Sequence, residues 1–142
     1  MKIRIALLLL VATSLVGAEV VTALPSSGVI DVLVKEWKLD MTSTTHTAGK
    51  ITFNLDSRGT ILHEVVIIKT DKLARDLVAE INPTTLRLDE ESFDSPGEYG
   101  DLPAGNTGVF TIDLSPGHYV VMCNIEAHYG AGMYSDLTIV RP

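Results

Sequence analysis

The chain has 142 residues, 46% hydrophobic and 20% charged, which fills one core and rules out a multidomain enzyme. Its formal net charge of −7 argues against nucleic acid as a partner. A single cysteine, Cys123, excludes an intramolecular disulfide and any multi-cysteine zinc or iron–sulfur site.

Lys2 and Arg4 precede an uncharged run of 14 residues that ends at Val16-Gly17-Ala18. A basic start, a short apolar stretch and small residues before a cut are the pattern of a secretory signal peptide, here residues 1–18. The run is short of the roughly 20 residues a spanning helix needs, and no cysteine stands at the cut to carry a lipid. We therefore expect no membrane anchor and a periplasmic or secreted protein. Cleavage removes two basic residues and no acid, which takes the net charge to −9. Residues 19–28, with Pro25-Ser26-Ser27-Gly28, read as a lead-in to one domain over 29–142.

Val29 to Leu39 is rich in β-branched residues and partly alternating, which predicts one strand. Thr42 to Gly49 reads as a turn, in which His46 looks solvated. Lys50 to Leu55 alternates apolar with polar and ends at Ser57-Arg58-Gly59, and His63 to Lys69 carries a continuous Val65–Ile68 run that suits a strand buried on both faces. Asp71 to Ile81, with Leu73, Leu77, Val78 and Ile81 at helical spacing and Asn82-Pro83 as a stop, is the one predicted helix, with Asp71 as its cap. An acidic loop follows: Asp89, Glu90, Glu91, Asp94, Glu98 and Asp101 fall in 13 residues without Lys or Arg. Such a run is read first as a solvated loop, and second as a patch that steers a cationic partner. Gly108 to Leu114, Tyr119 to Cys123 and Met133 to Val140 complete the strands, separated by turns such as Ser115-Pro116-Gly117. Many short strands and one short helix predict an all-β sandwich or barrel. Tyr119 is expected to pack inside and bond a backbone group, as in a tyrosine corner.

The chemistry lies in Cys123-Asn124-Ile125-Glu126-Ala127-His128-Tyr129-Gly130-Ala131-Gly132-Met133, which sets a thiol, an imidazole and a thioether at intervals of five. A loop between two strands must fold back, and Gly130 and Gly132 give it freedom to do so. Thiolate and imidazole suit copper or zinc, whereas a thioether favours copper. Two imidazoles and a thiolate with a long axial methionine describe a blue-copper electron-transfer centre, so a second histidine is required. His63 is the best candidate, because it opens a buried strand at one end of the sandwich. His46 and His118 are weaker ones, in or beside turns.

The Pro116-Gly117-x-Tyr119-x3-Cys123-x4-His128-x4-Met133 stretch, with His63 leading a Val/Ile strand, resembles the cupredoxins, the small blue copper proteins. The resemblance spans about residues 29–142. It implies a Greek-key β-sandwich and one copper ion held by His63, Cys123 and His128, with Met133 axial. The chain departs from plastocyanin and azurin at Glu64, where those proteins carry an asparagine that ties the ligand loops together. A carboxylate there either bonds backbone amides near the metal or faces solvent.

The leading functional reading is a one-electron carrier that cycles between Cu(I) and Cu(II), a monomer and not an enzyme. His128 is expected to be the more exposed ligand, with Ala127, Tyr129 and Ala131 forming a docking patch and the acids steering a basic redox partner such as a cytochrome. A copper storage or delivery protein would use the same residues. Copper oxidases and nitrite reductases need paired His-x-His motifs, and a binuclear copper centre needs two cysteines; neither is present.

Overall fold

A computed structural model describes residues 28–142; the expected signal peptide and the lead-in up to residue 27 lie outside the described residues. Among the described residues nine strands form two sheets: β1 (Val29–Lys35), β2 (Lys38–Met41), β3 (Thr45–Thr47), β4 (Gly49–Ser57), β5 (His63–Lys69), β6 (Asp94–Leu102), β7 (Thr107–Leu114), β8 (Gly117–Met122) and β9 (Tyr134–Val140). One sheet has the order β2-β1-β4-β7 and the other β3-β9-β8-β5-β6. The parallel pairs β1–β4 and β3–β9 make both sheets mixed. The chain crosses repeatedly between the two layers, which is the expected Greek-key sandwich.

Alternation decides what lies between the layers. Ile30, Val32 and Val34 of β1 and Ile51, Phe53 and Leu55 of β4 face Val65, Ile67, Val121, Leu137 and Ile139 of the other sheet in one buried cluster. The other half of the Val65–Ile68 run explains why it is continuous. Val66 and Ile68, with Val120 and Met122, form a second cluster on the outer face of that sheet, covered by Ala74, Leu77, Leu88 and Tyr129. Each such side chain contributes about 1.5–3 kcal/mol of hydrophobic stabilisation when fully buried. Tyr119 is buried and its hydroxyl donates to the Ser115 carbonyl at 2.8 Å, the corner expected of it.

Four expectations need correction. The strand from Val29 to Leu39 is a hairpin, broken at Glu36-Trp37, with Lys35 opposite Lys38. Its alternation lapses there, and Asp40 draws both lysines to one side, at 3.3 Å from Lys35. The turn at Thr42–Gly49 contains β3, whose β-branched flanks pair along β9 and bury His46 completely. The helix is a 3₁₀ segment over Ala74–Glu80, entered from Leu73 without a side-chain cap. Its tighter winding puts Ala74 and Leu77, three apart, on the buried face, and leaves Leu73 and Val78 exposed. Finally, the acidic loop is largely β6, which among the described residues is an edge strand paired only with β5. Exposed charges suit such an edge, because they discourage pairing with another chain.

Candidate metal centre

Three connections meet at one end of the sandwich: the Glu36-Trp37 turn, the Arg58–Leu62 link into β5, and the loop from Cys123 to Met133. His63 is the first residue of β5, and Cys123 follows the last residue of β8. Because β5 and β8 are antiparallel with Val66 opposite Met122, the two candidate residues leave neighbouring strands at the same end.

The long loop winds back on itself. His128 N–H donates to Ile125 O at 2.9 Å, Ala131 N–H to Ala127 O at 3.0 Å and Gly132 N–H to Tyr129 O at 2.9 Å. Cys123 N–H then donates to Met133 O at 3.0 Å, and Met133 N–H to His128 O at 3.2 Å, which closes the loop at its base. Gly132, at φ 113°, supplies the left-handed turn, and a Cβ there would meet the Trp37 carbonyl at 3.3 Å. The other left-handed residue is Ala127, at φ 68°, not Gly130.

This backbone brings three of the predicted ligands together. One donor atom each from His63, Cys123 and His128 lies within 4.8 Å of the other two, a group that could hold a metal ion. Cys123 Sγ is 3.2 Å from His128 Nδ1, and the two imidazole rings are 5.2 Å apart. His63 and Cys123 are fully buried and His128 is 6% exposed, so His128 is the most exposed of the three. Met133 is fully buried and packs in the same cluster as Cys123, with its backbone bonded to both Cys123 and His128.

The electrostatics suit neutral imidazoles. Burial holds His63 below its usual pKa; burial, and then the neighbouring His63, do the same for His128. Burial pushes the Cys123 thiol up to about 11. A bound cation reverses that balance, since a coordinating thiol is deprotonated. Both ring nitrogens of His63 are buried without a hydrogen-bond partner among the described residues. Leaving a buried polar atom unbonded costs about 1–3 kcal/mol, and a metal ligated by the ring would recover it. An N₂S donor set fits a soft or borderline transition metal.

The other histidines lie elsewhere. His46 sits opposite Ile139, toward the end of β9 remote from Met133. His118 Nδ1–H donates to the Thr70 carbonyl at 2.7 Å, and its Nε2 lies 3.0 Å from Asp136, whose carboxylate also accepts the Ala74 N–H. It fastens the 3₁₀ segment to β8 and β9.

Glu64 resolves the choice left open by the sequence. Its Oε1 accepts the backbone N–H of Asn124 at 3.0 Å. The Asn124 side chain in turn bonds Leu88 N, Leu88 O and Glu90 Oε1. Burial, and then the Glu90 charge, raise the pKa of Glu64.

Expectation and structure differ over the surrounding patch. Ala127 and Ala131 are exposed, but Tyr129 is wholly buried and its hydroxyl donates to Ala74 O at 2.6 Å. The exposed apolar side chains here are Trp37, Ile61 and Leu62. Trp37, 47% exposed, stands edge-on to His128 at 5.2 Å and 77°. Glu36 and Gly59 also adjoin the site. The sequence marked Gly59 only as the end of a turn and Glu36 not at all, because Glu36 reaches Thr60, Ile61 and His63 from a separate connection.

No family model matches the sequence, and no curated protein sequence matches it. Solved structures do. The chain is similar to dithionite-reduced auracyanin from the photosynthetic bacterium Roseiflexus castenholzii, with 23% identity and a TM-score of 0.60 over 81% of this chain and 98% of that one. It is also similar to auracyanin A, a blue copper protein from the green thermophilic photosynthetic bacterium Chloroflexus aurantiacus, with 19% identity and a TM-score of 0.59 over 81% of this chain and 100% of that one. An azurin from Methylomonas sp. strain J matches with 14% identity and a TM-score of 0.55, over 80% and 98%. The fold of the chain is that of the cupredoxins.

Proposed function

We propose that this cupredoxin sandwich would hold one copper ion on His63, Cys123 and His128, with the Met133 thioether as a further donor, and serve as an exported one-electron carrier. The observation that supports it most is the convergence of three buried donors within 4.8 Å, one of them an imidazole whose nitrogens have no hydrogen-bond partner among the described residues. Copper supplies the one-electron couple between Cu(I) and Cu(II). The chain supplies a site that changes little between the two states. Backbone bonds fix Cys123 against Met133 and Met133 against His128, while burial excludes water and limits rearrangement. His128, least buried of the three and flanked by exposed Trp37, is where electrons would enter and leave. No substrate is transformed.

A delivery protein would use the same residues, but it must let an acceptor reach its ligands. Donors that are at most 6% exposed favour a retained ion. The amino-terminal pattern supports export to a periplasmic or exterior space, and no helix among the described residues is long and apolar enough to cross a membrane. For a partner we propose a redox protein with a basic face, such as a cytochrome, docking on a monomer. The exposed acids of β6 support this, because the strand runs up to Leu102, which pairs with His63. Voltammetry of the copper-loaded protein tests the carrier reading. Fast, reversible one-electron waves are expected; a colourless Cu(I)-only form that surrenders its metal to a competing acceptor would replace it with delivery.

A further inference from the structure

Glu36 reaches from the turn between β1 and β2 into the metal end of the molecule. Its Oε1 accepts the N–H of Thr60 at 2.5 Å, the N–H of Ile61 at 3.1 Å and the Thr60 hydroxyl at 3.2 Å. Three donors on one oxygen fix the carboxylate as an anion. The same oxygen lies 3.7 Å from His63 Nε2.

Gly59 makes that approach possible. A Cβ at position 59 would lie 2.6 Å from Glu36 Oε1, 2.8 Å from His63 Nε2 and 2.9 Å from Glu36 Oε2. The carboxylate and the Nε2 edge of the imidazole therefore share a space that any side chain at 59 would fill. Since Nε2 faces Glu36, the ring has Nδ1 left for the group that includes Cys123 and His128. A ligating histidine that points its second nitrogen at a carboxylate has its tautomer fixed and its basicity raised.

We propose that Glu36 is a positioning residue for the copper centre: its carboxylate, facing Nε2 at 3.7 Å without a direct hydrogen bond, favours the Nε2–H tautomer of His63 electrostatically, keeps the Nδ1 lone pair for the metal, and places a fixed negative charge behind this ligand that favours Cu(II). The proposal rests on the copper-carrier reading for its redox consequence and not for its tautomer consequence. An anion within a few ångströms of a weakly screened centre stabilises the more highly charged state of that centre.

Glu36→Gln is the decisive variant, because its side-chain oxygen can still accept from Thr60 and Ile61 while the charge is lost. Two readouts separate positioning from mere support of the turn. In the metal-free protein, long-range proton–nitrogen NMR of the imidazoles should show Nε2–H for His63 in wild type and a loss of that preference in Glu36→Gln. In the copper-loaded protein the variant should stay blue, with the ratio of Cu(II) to Cu(I) affinity lowered about tenfold, a rise of about 59 mV in potential for one electron. Gly59→Ala should move the tautomer balance and the potential in the same directions, by forcing the two groups apart. An Nδ1–H tautomer in wild type, or a potential that Glu36→Gln leaves unchanged, would overturn the proposal. Should wild type form no blue centre, the carrier reading fails, and the tautomer measurement still decides whether Glu36 orients His63.

Discussion

The carboxylate of Glu64 accepts the backbone N–H of Asn124 at 3.0 Å and so joins the strand that presents His63 to the loop that presents Cys123. Asn124 lies one residue past the thiol, and its side chain anchors the Leu88–Glu90 segment on the other side. A half-buried acid thus does what an amide would do between the two ligand segments. The bond needs an acceptor and not a charge, and burial disfavours the charge.

Two substitutions separate these features. Glu64→Gln keeps the acceptor and sheds the buried charge, so unfolding by urea should show stability at neutral pH equal to wild type or slightly higher. Glu64→Leu leaves the Asn124 N–H unbonded and should lower stability by about 1–3 kcal/mol. Equal losses in both variants would mean that the charge itself holds the segments together.

Trp37 is the single tryptophan of the chain, so its fluorescence reports on the site alone. Loading the site with copper should quench the emission in step with metal uptake, because the indole edge is one ring away from His128. Trp37→Ala should cost about 0.5–1.5 kcal/mol, the usual worth of an aromatic pair, while leaving the ligands in place. Emission indifferent to a bound equivalent of copper would place the metal elsewhere.

Acid should weaken the metal-free protein. His63 and His128 are held below their usual value in the fold, so from about pH 6.5 downward the unfolded chain takes up protons at these rings before the folded chain does, and stability falls. Glu36, held at about 2 chiefly by the Thr60 N–H, adds a further loss as pH drops from its ordinary value of 4.5 toward 2. Glu64 is raised and works the other way, but only between 4.5 and its own higher value. Urea midpoints of metal-free protein should be lower at about pH 5.5 than at about pH 7.5, and a midpoint that does not fall on acidification would contradict the lowering of the two histidines.

Much of this was legible in the chain. The strand ending at Cys123 and the one starting at Met133 announce a hairpin, and five-residue spacing puts His128 and Met133 on it. His63 could be picked out because a buried Val/Ile strand starts there. What could not be read was set by partners far away in sequence. The break at Glu36-Trp37 depends on how Lys35 and Lys38 pair, and β3 exists only because β9 offers it an edge. The acids from Asp94 to Asp101 looked like a loop because edge strands, solvated on several sides, can be as polar as loops.

Those acids carry a further expectation. Changing Asp94, Glu98 and Asp101 together to amides should slow association with a basic redox protein at low salt and flatten its dependence on ionic strength, as stopped-flow kinetics would show. Unaltered rates would reduce the acidic strand to protection of a sheet edge.

Addition of Cu(II) to the metal-free protein, followed by visible absorption, tests the central claim most directly. Wild type should develop an intense blue band that saturates at one equivalent, and Cys123→Ser should bind copper without that band. A blue colour that survives in Cys123→Ser, or a wild-type protein that binds Cu(II) and stays colourless, would contradict a copper–thiolate centre on this loop.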